Sequence, residues 1–124
     1  MVLDVLAFSA DQFGGVIVES TSLPENVAEF TSRLRHSLET WRAGGLRLVW
    51  LDVPLERAAL VPVAAAAGFF FHHSNEADLM MVCRLVEDAF VPTHATHYIG
   101  VGGVVLNARQ ELLVVCEQIG RAHV

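Results

Sequence analysis

Apolar residues recur at steps of three and four through the stretch that follows Ser22, which is the spacing of one helical face. The residues on that face are Val27, Phe30, Leu34, Leu38 and Trp41. Ser22 and Glu25 have the S-x-x-E spacing of a capping box, and Pro24 would lie in the first turn. Because Gly44–Gly45 supplies a stop signal, the sequence predicts a helix over residues 22–43.

Apolar runs on both sides of this helix predict the strands of a sheet. Residues 2–8 and 16–20 have the pattern of two short strands, separated by paired glycines. Residues 46–53, LRLVWLDV, are almost continuously apolar, which is typical of a central strand. Pro54 opens a helical stretch that Pro62 interrupts, so two short helical turns are expected there.

A β-hairpin is predicted next along the chain. Residues 69–75, FFFHHSN, and residues 79–85, LMMVCRL, flank a turn at Asn75–Asp78. The order of elements is then β-β-α-β-α-β-β. Because a strand, a crossover helix and another strand favour parallel pairing, the sequence predicts an α/β fold with a mixed sheet and two main helices.

The character of the sequence changes after this hairpin. Residues 86–96, VEDAFVPTHAT, are without periodicity and indicate a linker. Residues 99–107, IGVGGVVLN, and residues 111–118, ELLVVCEQ, predict two further strands joined by a short turn. A lone hairpin is marginally stable in water, so we expect this one to be mobile or to drive oligomerisation.

Composition and charge narrow the range of partners. The chain has 124 residues, of which 53% are hydrophobic and 18% charged, so it can form one folded domain or one domain with part of another. Its net charge is −6 and it contains no lysine. Binding to nucleic acid or to an anionic membrane surface is therefore not expected.

The cysteines and the apolar stretches bear on the compartment. Cys83 and Cys116 each lie in an apolar run without CxxC or zinc spacing, which favours buried free thiols in a reducing compartment. The apolar residues 60–71 are too few to span a membrane and include Pro62 and Gly68. We expect no signal peptide and a cytoplasmic protein, with the nucleus or a mitochondrion as alternatives.

The histidines are the first candidates for chemistry. On a strand, His72 and His73 would point to opposite faces, so they would not share one metal ion. His94 and His97 are three residues apart, but proline and glycine nearby argue against a helix. Without a carboxylate pair or cysteine cluster beside them, a packing role is favoured over a metal site.

Asp52 and a glycine-rich run are the remaining candidates. Asp52 ends the predicted central strand, where it could be a catalytic acid, but capping the helical turn that begins at Pro54 is the favoured role. The run GVGGVV at residues 100–105 lies within a predicted strand and does not open a helix, so it does not fit a dinucleotide-binding loop.

Two longer stretches resemble a known family. Residues 41–73, WRAGGLRLVWLDVPLERAALVPVAAAAGFFFHH, are similar to the pre-Nudix domain. Residues 93–118, THATHYIGVGGVVLNARQELLVVCEQ, resemble its continuation into the first Nudix strands. The resemblance is to the Nudix hydrolase subfamily related to the nudix motif 6 (antisense fibroblast growth factor) protein and its plant homologues. In that family the Phe-His-His run belongs to the N-terminal domain and not to the active site.

The resemblance implies a domain organisation and an activity. It implies an acetyltransferase-like (GNAT-like) mixed sheet with two main helices over residues 1–88, a linker at 89–96 and the first β-hairpin of a truncated Nudix domain at 97–118. It further implies a parent enzyme that hydrolyses nucleoside diphosphate-linked small molecules, typically ADP-ribose or NADH, with Mg²⁺ or Mn²⁺. A homodimer is one expected assembly.

The chain departs from the family pattern in one respect. The Nudix box, G-x5-E-x7-R-E-U-x-E-E-x-G-U with U aliphatic, holds the catalytic metals through its glutamates. It does not occur in these residues, and Glu111 and Glu117 lie outside any such pattern. No catalytic, cofactor-binding or metal-binding residue is therefore assigned. Residues 119–124, IGRAHV, back-translate to a sequence similar to a sequencing adapter, so we expect an artefactual end, with a genuine short isoform as the alternative.

The sequence leaves three functions open. The first is an N-terminal fragment of a Nudix hydrolase that is inactive by itself. The second is a stand-alone binding or dimerisation module that regulates a partner. The third is an acetyltransferase, which is disfavoured because its pyrophosphate loop needs glycine amides, whereas residues 52–60, DVPLERAAL, contain no glycine.

Overall fold

The structure is a computed structural model that describes residues 4–94, 105–106, 108–109 and 112–113. The chain divides into two compact units, residues 1–94 and residues 95–124. In the first unit the elements are β1 (Phe8–Ala10), β2 (Gly15–Val18), a 3-10 turn (Ser20–Ser22), α1 (Val27–Ala43), β3 (Leu48–Pro54), a 3-10 segment (Leu55–Leu60), α2 (Val61–Ala66), β4 (Phe70–Ser74) and β5 (Asp78–Arg84). This order matches the predicted β-β-α-β-α-β-β sequence of elements.

The five strands form one mixed sheet in the order β1-β2-β3-β5-β4. β2 and β3 are parallel, and α1 connects them as the crossover helix. The other neighbouring pairs, β1 with β2, β3 with β5 and β5 with β4, are antiparallel. The predictions of an α/β fold, a partly parallel sheet and a central strand formed by residues 46–53 are confirmed.

The core lies between the helices and one face of the sheet. From α1 and α2 it receives Phe30, Leu34, Leu38, Trp41 and Ala64, and from the strands Val16, Val18, Val49, Leu51, Val53, Met81 and Cys83. The predicted apolar face of α1 is thus buried, except that Val27 in its first turn is 43% exposed. Burial of these apolar side chains is the main source of stability for the unit.

The start of α1 differs from the prediction. The helix begins at Val27, and Asn26 caps it by accepting the Glu29 N–H at 2.9 Å. The predicted capping box at Ser22 and Glu25 is wrong, because a residue that precedes proline is pushed out of the helical region. Leu23 has φ −67° and ψ 136°, as expected for the residue before Pro24.

Within residues 4–8, the described part of the first predicted strand, β1 includes only Phe8. Side chains of α1 satisfy the preceding backbone instead. The Ser37 hydroxyl accepts the Leu6 N–H at 2.8 Å and donates to the carbonyl of Arg33 at 2.6 Å. Arg33 in turn donates to the carbonyls of Asp4 and Val5 at 3.2 and 3.1 Å. Polar groups of α1 therefore replace a strand partner for this segment.

The two predicted helical turns between β3 and β4 are present. A 3-10 segment runs from Leu55 to Leu60, and α2 follows with Pro62 near its N-terminus. Gly68 ends this stretch with φ +108°, a conformation that L side chains rarely adopt. The break between the 3-10 segment and α2 has the predicted cause, because Pro62 cannot continue the first helical turn but can lie in the first turn of the next helix.

The second unit is described only at the predicted hairpin. β6 (Val105–Leu106) pairs antiparallel with β7 (Leu112–Leu113). The predicted pairing is therefore confirmed for these four residues, and the rest of both predicted strands lies outside the described residues. The boundaries 1–88, 89–96, 97–118 and 119–124 stay predictions. No helix in the described part of the chain is long and apolar enough to cross a membrane.

Candidate functional site

The five-stranded sheet has a second face, opposite the helices, which carries a pair of aspartates and two histidines. Successive residues of a strand point to opposite faces, so Leu48, Trp50 and Asp52 lie opposite the helix-side residues of β3. We call this surface the helix-free face. It consists of Leu48, Trp50 and Asp52 on β3, of Asp78, Met80, Val82 and Arg84 on β5, and of Phe70, His72 and His73 on β4.

Residues 86–94 cover part of the helix-free face. Ala89 is 5% exposed and packs with Leu48 and Val82. The Arg84 Nε–H donates to the Ala89 carbonyl at 3.0 Å, which fixes the backbone of this segment against β5. The segment therefore contacts the sheet closely, although its sequence lacks any periodicity.

A β-bulge brings two histidines onto this face together. Phe71 pairs with Met81 but His73 pairs with Met80, so β4 contains one extra residue at His72. The His72 ring contacts the Trp50 ring at 4.9 Å between centroids. The prediction that His72 and His73 point to opposite faces is therefore wrong, because the bulge interrupts the alternation of side chains.

Three imidazoles form a cluster at this position. Nδ1 of His72 lies 2.7 Å from Nδ1 of His73. His94 stacks on His73, with the ring centroids 3.8 Å apart and the planes 9° from parallel. Nε2 of His72 lies 2.5 Å from the carbonyl oxygen of Pro92. The cluster thus joins the edge strand β4 to residues 92–94 of the covering segment.

The hydrogen-bond partners restrict where the protons can be. A carbonyl oxygen only accepts, so Nε2 of His72 carries a proton and donates to Pro92. The contact between the two Nδ1 atoms needs one proton between them. Burial lowers the pKa of His73, the neighbouring His94 and His72 lower it further, and the charge of Asp78 partly opposes these effects.

A pair of carboxyl groups lies near the histidines on the same face. Burial raises the pKa of Asp52 to about 6, and the charge of Asp78 and a hydrogen bond with it add to the increase. The predicted capping role of Asp52 is wrong, because the helical segment after Pro54 has no side-chain cap. Sequence reasoning missed Asp78, which contributes to the predicted turn and also lies diagonally across from Asp52 on the neighbouring strand β5.

A half-open cavity adjoins the other end of the helix-free face. Its volume is about 550 Å³, and Trp50, Phe13 and Phe90 contribute aromatic walls. Phe13 and Phe90 are 76% and 80% exposed. Arg47 forms an ion pair of 3.2 Å with Asp88 at its margin. The site can therefore accept an apolar or aromatic group, with few charges to orient it.

The arrangement can hold and redistribute protons. In the described part of the chain, no group of three or more His, Cys, Asp and Glu side chains is placed so that it could hold a metal ion. Cys83 is a free buried thiol, as predicted, and burial raises its pKa despite the opposing charge of Arg42. Of the other predicted candidates, His94 joins the cluster, whereas His97 and Cys116 lie outside the described residues.

A mixed α/β domain with one helix-covered face agrees with the fold class expected from the sequence, and comparison with known proteins identifies the family. The Nudix hydrolase domain family matches residues 6–85. Nudix hydrolase 8 of Arabidopsis thaliana is 44% identical over 110 residues, which are 87% of this chain and 30% of that protein. Nudix hydrolase 2 of Arabidopsis thaliana is 39% identical over 112 residues, covering 90% of this chain and 40% of that protein.

A mouse protein matches as well. Nucleoside diphosphate-linked moiety X motif 6 of Mus musculus is 32% identical over 111 residues, which are 85% of this chain and 36% of that protein. The chain belongs to the Nudix hydrolase family, which confirms the resemblance found in its sequence. It spans 30% to 40% of the length of the plant relatives described above.

Proposed function

We propose that this chain is the N-terminal region of a Nudix hydrolase. A full-length protein containing it would hydrolyse nucleoside diphosphate-linked compounds of the ADP-ribose or NADH class with Mg²⁺ or Mn²⁺. The observation that carries the proposal is the family match over residues 6–85 together with 44% identity to Nudix hydrolase 8 of Arabidopsis thaliana. The name of the mouse relative, which refers to a nucleoside diphosphate-linked moiety, supports the substrate class.

The proposal assigns no catalysis to these residues alone. Hydrolysis of a diphosphate by the family's chemistry needs clustered carboxylates that bind divalent metal ions. The Nudix box is absent from the sequence, and Asp52 and Asp78 are the close carboxyl pair on the helix-free face. Among the described residues, no third His, Cys, Asp or Glu side chain joins this pair to hold a metal ion, so no step of the reaction is assigned to it.

The finer fold assignment is part of the same proposal. A mixed sheet in which β2 and β3 are parallel and α1 is the crossover between them supports an acetyltransferase-like (GNAT-like) comparison. Acetyl transfer itself is disfavoured, because Pro54, the last residue of β3 and the N-cap of the segment that follows, lacks one of the amides that a pyrophosphate loop would need. We place the protein in the cytoplasm, with the nucleus or a mitochondrion as alternatives, on the support of the buried free thiol of Cys83.

One observation favours a second function, a binding or dimerisation module. Phe13 and Phe90 are 76% and 80% exposed beside one cavity, and large exposed apolar groups that lie together often mark a binding surface. A second copy of the chain or a regulated partner would be its occupant. This function and the first are compatible, since an N-terminal region of an enzyme can also bind a partner.

The first proposal is tested by turnover. The purified chain is incubated with ADP-ribose and with NADH in the presence of Mg²⁺ or Mn²⁺, and AMP release is measured by chromatography. A longer product of the same gene is the positive control. We expect AMP from the longer protein and none from the 124-residue chain. AMP release by the short chain that co-purifies with it through a second column would contradict the assigned inactivity, and an inactive longer protein would contradict the substrate class.

A further inference from the structure

We propose that His72, His73 and His94 form a pH-sensitive latch that holds residues 91–94 on the helix-free face near neutral pH and releases them in acid. The inference is independent of the enzymatic proposal, because it concerns contacts within residues 4–94. Three contacts carry it: the Nδ1 atoms of His72 and His73 lie within hydrogen-bonding distance, Nε2 of His72 contacts the Pro92 carbonyl, and the His94 ring stacks on His73.

The geometry limits the number of protons that the closed latch can hold. Nε2 of His72 must keep its proton to donate to the Pro92 carbonyl. The 2.7 Å contact between Nδ1 of His72 and Nδ1 of His73 accommodates one proton and not two. The closed pair can therefore carry one positive charge at most. A second positive charge requires protons on both Nδ1 atoms, which destroys this contact.

His94 makes it less favourable for the closed histidine cluster to gain a second positive charge. His94 stacks almost parallel on His73 with 3.8 Å between centroids, so two imidazolium rings would lie face to face at close range. His94 also lies 6.4 Å from the His72 ring. Both charged rings would repel at these separations, and the ring that can move away is His94, because it lies on the covering segment and not on a strand.

Other charges around the cluster offset this repulsion only in part. The negative charge of Asp78 on β5 favours the charged form of His73. On β3, the carboxyl group of Asp52 is hydrogen-bonded to Asp78. Arg84 on β5 adds a positive charge next to the segment, where its Nε–H donates to Ala89. The Arg47–Asp88 ion pair is neutral as a whole. Trp50 presents an uncharged ring to His72, with 4.9 Å between the ring centroids and the ring planes 80° apart.

The direction of the pH effect follows from the proton count. The pKa of His73 is lowered in the closed state by burial and by its two histidine neighbours. The open state therefore binds more protons than the closed state as the pH falls below the ordinary histidine value of about 6.5. The closed latch is fully favoured above that pH and weakens below it. For one extra proton, opening should increase about tenfold between about pH 7.5 and about pH 5.5.

Opening would change the adjacent cavity. Phe90 and Pro92 form part of its wall, and Pro92 is the residue that His72 holds. Release of the segment would therefore widen the cavity beside Trp50. The latch thus links the protonation of β4 histidines to the shape of the aromatic cavity on the same face.

The test is a pH titration of the whole chain followed by NMR. The imidazole nitrogen signals of His72, the indole signal of Trp50 and the backbone amide of Ala89 are recorded from about pH 7.5 to about pH 5.5, with the amides of Val49 and Leu51 as a measure of global folding. We expect the Nε2–H tautomer of His72 at the higher pH and an about tenfold rise in the open population at the lower pH, while the β3 signals stay native.

Matched variants separate the latch from other histidine effects. His72→Gln should populate the open state at both pH values, because glutamine cannot form both contacts. His36→Gln, on α1 away from the cluster, should titrate like the wild type. The proposal is overturned if Trp50 and Ala89 do not change between the two pH values, or if His72→Gln keeps the wild-type pH profile. Loss of the β3 signals along with those of Ala89 would also overturn it, since the transition would then be global unfolding.

Discussion

Replacing Asp52 with asparagine should stabilise the protein above neutral pH and stabilise it much less in mild acid. Asp52 and Asp78 are diagonal neighbours on the helix-free face, and the pKa of Asp52 is raised from 3.8 to about 6, first by burial and then by Asp78. An asparagine keeps the shape of the side chain. Its amide can also donate to Asp78, as the protonated Asp52 carboxyl does.

The direction of the stability change with pH follows from how many protons the folded and unfolded chains bind. A carboxyl group with a higher pKa in the folded chain binds more protons when folded, so folding loses stability as the pH rises from about 4 to about 6. A difference of about two pKa units corresponds to about 3 kcal/mol as an upper limit. Since Asp52 is only partly buried and water screens the pair, we expect Asp52→Asn to gain about 1–2 kcal/mol at about pH 8.

Urea denaturation of both proteins at about pH 8 and at about pH 4.5 measures this difference. The gain should be largest at the higher pH and fall to about a third of that value at the lower one, where Asp52 is protonated in the folded chain but mostly ionised in the unfolded chain. Glu76→Gln, which removes a negative charge from the exposed turn beside the pair, is the control and should change stability little. Equal stabilisation at both pH values, or a loss of stability at the higher pH, would refute the reasoning.

Two further predictions concern the polar contacts of α1, each with a neighbouring serine as control. Asn26→Ala should cost about 1 kcal/mol of unfolding free energy because it removes the helix cap, whereas Ser22→Ala should cost little. A larger loss for Ser22→Ala than for Asn26→Ala in urea denaturation would show that Ser22 caps the helix after all. Ser37→Ala should cost about 1–3 kcal/mol because it leaves the buried N–H of Leu6 without its partner, and the exposed Ser32→Ala should be nearly neutral; similar melting temperatures for both variants would contradict this.

The parts of the fold that were predictable depend on strong local signals. The apolar spacing of Phe30, Leu34 and Leu38 gave the buried face of α1, and the continuous apolar run through Val49–Leu51 gave the central strand. The helix start was also within reach of sequence reasoning. Pro24 excludes Leu23 from a helix, and Asn26 with Glu29 has the same spacing as the capping box assigned four residues earlier.

The candidate site was less predictable, because it depends on register. Nothing in FFFHHSN indicates that β4 bulges at His72, yet this one extra residue places both histidines on the same face. The pairing of Asp52 with Asp78 needs the β3–β5 alignment, in which Asp52 opposes Met80 and Pro54 opposes Asp78. Such contacts join residues far apart in sequence, so local patterns do not report them.

The central claim is that these residues form the N-terminal region of a Nudix hydrolase, and the coding sequence of the gene tests it most directly. The genomic or full-length transcript sequence is read in frame beyond the codon for Gln118. The account predicts a run of the form G-x5-E-x7-R-E-U-x-E-E-x-G-U in that sequence, with glutamates for the metal ions. An in-frame stop codon soon after Gln118, found in the gene and in independent transcripts, would contradict the account and favour the stand-alone binding module.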